Sequence, residues 1–226
     1  MKLKQYIGRH RTNLVTYGVV ILGFVIMQVL STSHMLSSSV EGFLIPICAY
    51  VVLAVSLNLV VGISGELSLG HAGFMGVGAF TGIIVAALLK TVIASKVLLL
   101  IVAIVCGGVM AGLFGVVIGL PVMRLRGDYL AIVTLAFGEI LKNLINNMYV
   151  GSDANGVHFV IGTEKPLLAE GGSMVINGPM GATGVAKLAT FPIGFALILV
   201  TLFVVLNLIN SREGRAIKAV RDNRIA

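Results

Sequence analysis

Charge is scarce in this sequence. Only 11% of its 226 residues are acidic or basic, and no Asp, Glu, Lys or Arg stands between Arg11 and Glu41. A soluble domain is about one quarter charged, so this chain lacks the polar groups that a globular surface needs. Hydrophobic residues make up 58% before the 28 glycines are counted. Globular, disordered, collagen-like and disulfide-stapled classes are excluded together. Lipid is the solvent that this composition fits.

Other absences narrow the chemistry. Cysteine is confined to Cys48 and Cys106, each isolated inside an apolar run. They have neither metal-ligand spacing nor an evident disulfide partner, and read as small buried hydrophobes. No metal and no cofactor is expected. The phosphate-binding pattern G-x-x-x-x-G-K-[ST] is missing, so any ATP hydrolysis belongs to another polypeptide. An A-x-A-like cleavage site is missing after the first apolar run, which is also long for a signal peptide, so a retained first helix is expected. The net charge of +7 would suggest nucleic acid in a soluble protein. In a membrane protein it points first to cytoplasmic loops, and no nucleic-acid partner is expected.

What is present is a set of apolar stretches. Six segments can cross a bilayer: 14–30, 42–63, 67–89, 97–123, 129–149 and 191–209. The fold class expected is all-α, a polytopic transmembrane helix bundle. Segment 129–149 would be ~30 Å long at 1.5 Å per residue, placing Tyr129 and Tyr149 at opposite interfaces. With the N-terminus inside, the cytoplasmic pieces hold Lys2, Lys4, Arg9, Arg11, Arg124, Arg126, Arg212, Arg215, Lys218, Arg221 and Arg224. The outer loops keep Lys90, Lys96, Lys165 and Lys187, together with Glu41, Asp153, Glu164 and Glu170. The positive-inside rule therefore predicts both termini in the cytoplasm. The organisation expected is a basic cytoplasmic N-terminus at 1–12, a transmembrane domain over 13–209 with a long outer loop at about 150–190, and a cytoplasmic segment at 210–226. That loop is polar and glycine-rich, with no evident secondary structure; it reads as a mouth, lid or docking surface, or as a tolerated surface loop.

The densest polar signal runs from Asn58 to Phe80. Gly62, Ser64, Gly65, Glu66, Ser68, Gly70 and His71 interrupt an otherwise continuous apolar tract. Irregular backbone at membrane depth survives only where it is buried in protein or lines a cavity. Broken helices with polar residues point to a translocation path. The competing reading is a short cytoplasmic turn, although this turn would hold Glu and neither Lys nor Arg. Glu139 lies ~15 Å into its span, near the midplane, where an acid is a functional candidate by default. Lys142 and Asn143 share its helical face, which favours an internally paired charge over direct substrate contact. Glycines from Gly107 onward, including Gly108/Gly112 and Gly115/Gly119, repeat at the spacing of a helix-packing face.

Gly62-Ile-Ser-Gly65 also matches the G-x-S-G pattern of intramembrane serine proteases. That chemistry needs a histidine base, and His10, His34, His71 and His158 offer no suitable partner. After the last span, Ala216, Ile217, Ala219 and Val220 form an apolar stripe beside Arg215, Lys218, Arg221 and Arg224. A basic amphipathic helix of this kind anchors on lipid or docks into a groove of a cytoplasmic partner.

Four separated motifs carry a family resemblance. They are the tract from Asn58 to Phe80, Leu125-Arg-Gly-Asp-Tyr-Leu-Ala-Ile-Val-Thr-Leu-Ala-Phe-Gly-Glu139, Asn177-Gly-Pro-Met-Gly-Ala-Thr-Gly184 and Gly214-Arg-Ala-Ile-Lys-Ala-Val-Arg-Asp222. In this order they resemble the permease subunits of branched-chain amino acid ABC transporters, of the LivM-like type. The resemblance implies a bacterial inner-membrane permease that receives leucine, isoleucine or valine from a periplasmic substrate-binding protein. It also implies a homologous second permease subunit and two cytoplasmic ATP-binding subunits. Relatives for urea or short-chain amides carry similar motifs; an ion-coupled carrier depending on Glu139 and the protease are the other classes weighed. On this chain the resemblance places the broken tract from Gly62 to His71 along the substrate path, and the candidate path residues are Asn58, Gly62, Ser64, Gly65, Glu66, Ser68, Gly70, His71 and Glu139. It places Gly214, Arg215, Ala216, Lys218 and Arg221 at the ATPase coupling segment, and selects partner docking for that helix. No catalytic residue is implied. Family members continue into further spans, so the chain is expected to be a C-terminally truncated copy or the front part of a longer permease.

Overall fold

A computed structural model describes residues 2–222 except His34, Thr91, Met123, Arg126, Gly127, Ala154, Asn155, Thr163, Glu164, Ala169, Glu170, Gly184 and Ala186, and for 2–13, 128 and 222 the backbone alone. Residues 223–226 of the C-terminal segment, with Arg224, and the charges of Arg126, Glu164 and Glu170 thus lie outside the described residues, as do His34 and Gly184. The protein is mostly helical. Six helices among the described residues are long and apolar enough to cross a membrane: Leu14–Thr32, Ser38–Ser64, His71–Leu89, Lys96–Val122, Tyr129–Asn146 and Phe191–Asn210.

The chain divides into two compact units, Met1–Gly65 with Ala189–Ala226, and Glu66–Leu188. The first unit holds α1 (Lys2–Thr32), α2 (Ser38–Asn58), a π-helical turn (Leu59–Ser64), α6 (Phe191–Asn210) and α7 (Arg212–Asp222). Its core joins Cys48 of α2 to Ile198 and Leu202 of α6. Cys48 is thus the small buried hydrophobe expected. Gly194 allows that approach, because a Cβ there would sit 2.9 Å from the Cβ of Cys48. Phe24 of α1 stacks on Phe195 of α6 with ring centroids 3.9 Å apart.

The second unit holds α3 (His71–Leu89), α4 (Lys96–Val122) and α5 (Asp128–Asn146), followed by β1 (Met148–Asp153), β2 (Gly156–Ile161) and β3 (Ser173–Asn177). α3 and α4 approach backbone to backbone: a Cβ on Gly82 would lie 3.2 Å from the Ala103 carbonyl oxygen, and one on Gly107 would strike that of Gly78. The expected packing face is therefore used at Gly107 alone. Gly108, Gly112, Gly115 and Gly119 have nothing within 4 Å of the position a Cβ would take, because the Gly78 and Ala103 contacts turn that stripe away from α3.

Three further expectations are corrected. The third span starts at His71 rather than at residue 67. The fifth ends at Asn146, and Tyr149 lies in β1, so the two tyrosines do not mark the ends of one helix. The loop at 150–190 is built, and the fold is not purely α. It carries a three-stranded antiparallel sheet of order β2-β1-β3, with Val150 of β1 opposite Phe159 of β2 and Ile176 of β3. The reason is a set of β-branched residues, Val150, Val157, Val160, Ile161, Val175 and Ile176, dispersed among the glycines and polar residues of the loop. Val150, Val175 and Ile176 are buried and pack on Phe80, Ile83, Ile84 and Ala87 of α3. The sheet is therefore stabilised by apolar burial on a transmembrane helix as well as by its own ladder.

Candidate functional site

The polar tract from Asn58 to His71 is broken as backbone, and the break has two distinct parts. In the first unit α2 loosens into the π-turn, whose end is closed by the Gly65 amide donating to the Val60 carbonyl. Gly65 has φ +72°, the left-handed conformation that ends helices and favours glycine. The Ser64 hydroxyl donates to the Val60 carbonyl at 2.7 Å, a helix-terminal bond. π-turns inside helices concentrate at functional sites. The Asn58 side chain leans over Gly62, where a Cβ would collide with its amide oxygen.

From α7, Arg221 reaches back to this turn. Its Nη1 donates to the Gly62 carbonyl at 3.0 Å, and a Cβ on Gly65 would lie 2.8 Å from both Cγ and Cδ of the arginine. α7 is held at its start as well. Ser211 Oγ accepts from the Gly214 amide at 3.1 Å, which caps the helix. Arg215 donates to the Asn210 carbonyl at 3.1 Å. Gly214 is buried at the corner between α6 and α7, where a Cβ would lie 2.7 Å from the Ile209 carbonyl oxygen. Ala216 is exposed and Lys218 half-buried. Glu213 sits in the first turn of α7. Its carboxyl is held below the usual carboxylate range by its own backbone amide, then by the Ser211 hydroxyl.

In the second unit the tract continues as non-helical chain from Glu66 to Gly70 and enters α3 at His71. Glu66 is exposed, Ser68 and His71 are half-buried, and Gly70 is buried. Here the partner is α5. The Leu69 amide donates to Thr134 Oγ1 at 3.1 Å, and that hydroxyl donates to the Ala131 carbonyl at 3.0 Å. Thr134 is the buried polar side chain among the described residues. A Cβ on Gly70 would lie 2.6 Å from the Thr134 carbonyl oxygen, and one on Gly73 would lie 3.2 Å from the Gly138 Cα. Thr134 and Gly138 stand inside a motif visible in the sequence, yet nothing there marks them as the seat of the break.

One turn further along α5, a cleft of about 330 Å³ opens between α3, α5 and the turn after β3, and Glu139 and Lys142 line it. Lys142 Nζ lies 3.2 Å from Glu139 Oε2, and the two side chains remain 63% and 55% exposed in this chain. The pairing expected from their spacing is present. An acid and an amine this open on a helix long and apolar enough to span call for water or another protein surface rather than lipid. The structure thus separates the sequence-derived path residues into two groups. Asn58, Gly62, Ser64 and Gly65 lie at the π-turn that Arg221 reaches; Glu66, Ser68, Gly70 and His71 belong to the chain that enters α3, where Gly70 meets Thr134 of α5, and Glu139 lines the cleft further along α5.

Comparison with known proteins follows this geometry. Residues 39–226 match the family described as branched-chain amino acid transport system / permease component. The chain is 36% identical over 190 residues to the high-affinity branched-chain amino acid transport system permease protein LivM of Escherichia coli strain K12. It is 35% identical over 190 residues to the protein of the same name from Salmonella typhimurium strain LT2. Each alignment covers 78% of this chain and 42% of the relative, so the chain spans less than half the length of these curated relatives. No solved structure matches. Matched through both halves of the broken tract, through α5 and through α7, the chain belongs to the branched-chain amino acid permease-component family and is a transport component rather than an enzyme.

Proposed function

We propose that this chain is the membrane-spanning permease subunit of an ATP-driven importer for leucine, isoleucine and valine. The observation that carries this reading is the family match running unbroken over residues 39–226. In it the protein sits in a bacterial inner membrane with both termini cytoplasmic, as the distribution of Lys and Arg favours. It pairs with a homologous second permease and lipid, takes substrate from a periplasmic binding protein that meets the loop near 150–190, and is driven by two cytoplasmic ATP-binding subunits. Asn58, Gly62, Ser64, Gly65, Glu66, Ser68, Gly70, His71 and Glu139 contribute to the path. The segment 210–226 begins the coupling element, with Gly214, Arg215, Ala216, Lys218 and Arg221 in its first helix.

The mechanism is alternating access. ATP-driven closure of the cytoplasmic subunits displaces α7, and the spans re-orient around the path. The break before α3 suits this role, because a non-helical segment changes its dihedral angles at lower cost than a helix does. The test is uptake of labelled leucine into cells lacking the gene and into complemented cells, with urea and acetamide as competitors. ATP-dependent leucine uptake that neither competitor lowers is expected. Uptake blocked by urea or acetamide would reassign the substrate, and uptake without ATP-hydrolysing partners would replace the importer by an ion-coupled carrier.

A further inference from the structure

Two segments 159 residues apart in sequence meet at one hydrogen bond, that of Arg221 to Gly62. A helix leaves its last carbonyls without intrahelical donors. After the π-turn the chain is not helical between Gly65 and Gly70, so regular geometry offers no amide to the Gly62 carbonyl. A guanidinium is well suited to that end of a helix, because it presents several planar donors and a positive charge to the negative pole of the backbone dipole. The stem of the same side chain lies against Gly65, with Cγ and Cδ each 2.8 Å from where a Cβ would be. Arg221 therefore engages both a carbonyl of the last turn and the left-handed residue that ends it.

We infer that Arg221 is a positioning residue that ties α7 to the π-turn, so that a displacement of α7 is delivered to the break in the second span. This deepens the proposed function and rests on α7 facing the ATP-binding subunits. It also separates two roles within one helix. Arg215 is turned back to Asn210 at the base of α7, whereas Arg221 transmits along the permease itself.

The experiment uses the transporter assembled from its native subunits in lipid nanodiscs and proteoliposomes, with Arg221→Ala, Arg221→Lys and, as control, Arg215→Ala. Hydrogen exchange at amides 62–66 is expected to rise up to roughly tenfold in R221A, the scale of one lost hydrogen bond, to rise less in R221K, and to stay unchanged in R215A. Substrate imported per ATP hydrolysed is expected to fall roughly fivefold in R221A and to recover within about twofold of wild type in R221K. Gly65→Ala is also compared in the wild-type and R221A backgrounds: its defect shrinks when Arg221 is absent if the two touch as described. In case R221A folds poorly, R221K carries the exchange and transport measurements.

Unchanged exchange at 62–66, an unchanged transport-to-ATP ratio, or additive effects of G65A and R221A would overturn the inference. So would a drop in uptake matched by loss of bound ATP-binding subunits, which would make Arg221 a direct partner contact. Those results leave the importer reading standing. A wild-type chain that assembles with no ATP-hydrolysing subunit overturns both.

Discussion

At the scale of single residues, Thr134 of α5 holds the break before α3 by accepting the Leu69 amide. Thr134→Val keeps the shape and removes the acceptor of the Leu69 amide. The loss expected is about 1 kcal/mol, or roughly 2–4 °C in the melting temperature of the detergent-solubilised protein. Thr134→Ser should restore most of it; equal melting of all three proteins would remove the hydroxyl from this role. Glycines separate into tight and open positions. Gly70→Ala must push the Thr134 carbonyl, 2.6 Å from its new Cβ, whereas Gly108→Ala meets nothing within 4 Å. The first is expected to lower thermal stability by several degrees. The second is expected to leave it level or to raise it by up to about 1 kcal/mol, because alanine is the better helix former. A bulky residue at Gly70 therefore damages packing on α5, and blocked uptake in such a variant reports folding before it reports a path.

At the scale of elements, α7 is a short charged helix whose start is defined by Ser211 and Glu213. Ser211→Ala removes the cap on the Gly214 amide. About 1 kcal/mol of local helix stability should go with it, read as faster hydrogen exchange over 212–221. Glu213 gives the same helix a pH dependence of defined sign. Its carboxyl ionises below the ordinary value of 4.5 because the charged form accepts backbone and Ser211 hydrogen bonds. A depressed acid stabilises the folded helix above the unfolded value and loses that contribution as pH falls through the folded one. Protection of α7 is therefore expected to be flat from pH 7 down to 4.5 and to decline only below it. Glu213→Gln should remove the decline; a decline that persists would assign it to another group. The sheet shows the same interplay of local and tertiary causes, since Val150 and Ile176 are all but fully buried between Met148, Val157 and Val185 of their own segment and Phe80 and its neighbours on α3.

At the scale of the whole molecule, topology is the quantity to measure. Leu167 is 97% exposed in the loop after β2 and Val220 is 63% exposed on α7, which makes both suited to thiol labelling after Cys48 and Cys106 are replaced. In intact cells stripped of the outer membrane, L167C is expected to react with a membrane-impermeant maleimide. V220C is expected to react only after permeabilisation. The opposite pattern would invert the orientation drawn from the Lys and Arg distribution.

The number of spans, the membrane class and the family were readable from the sequence alone, because each depends on composition or short-range order. Apolar runs must match a bilayer thickness, and four separated motifs need no contacts to be recognised. The polar break between Asn58 and His71 was readable for the same reason, since glycine and polar residues interrupt a helix locally. What only the tertiary structure decided depends on residues distant in the chain. Scattered β-branched residues among glycines became a sheet because α3 covers them, which is why the loop at 150–190 carried no evident pattern. Gly107 rather than Gly108 became a contact because helix rotation is set by the neighbour. Thr134 became the support of the break, and Arg221 came to Gly62, because backbone groups freed in one segment are satisfied wherever folding brings a donor or an acceptor within about 3 Å.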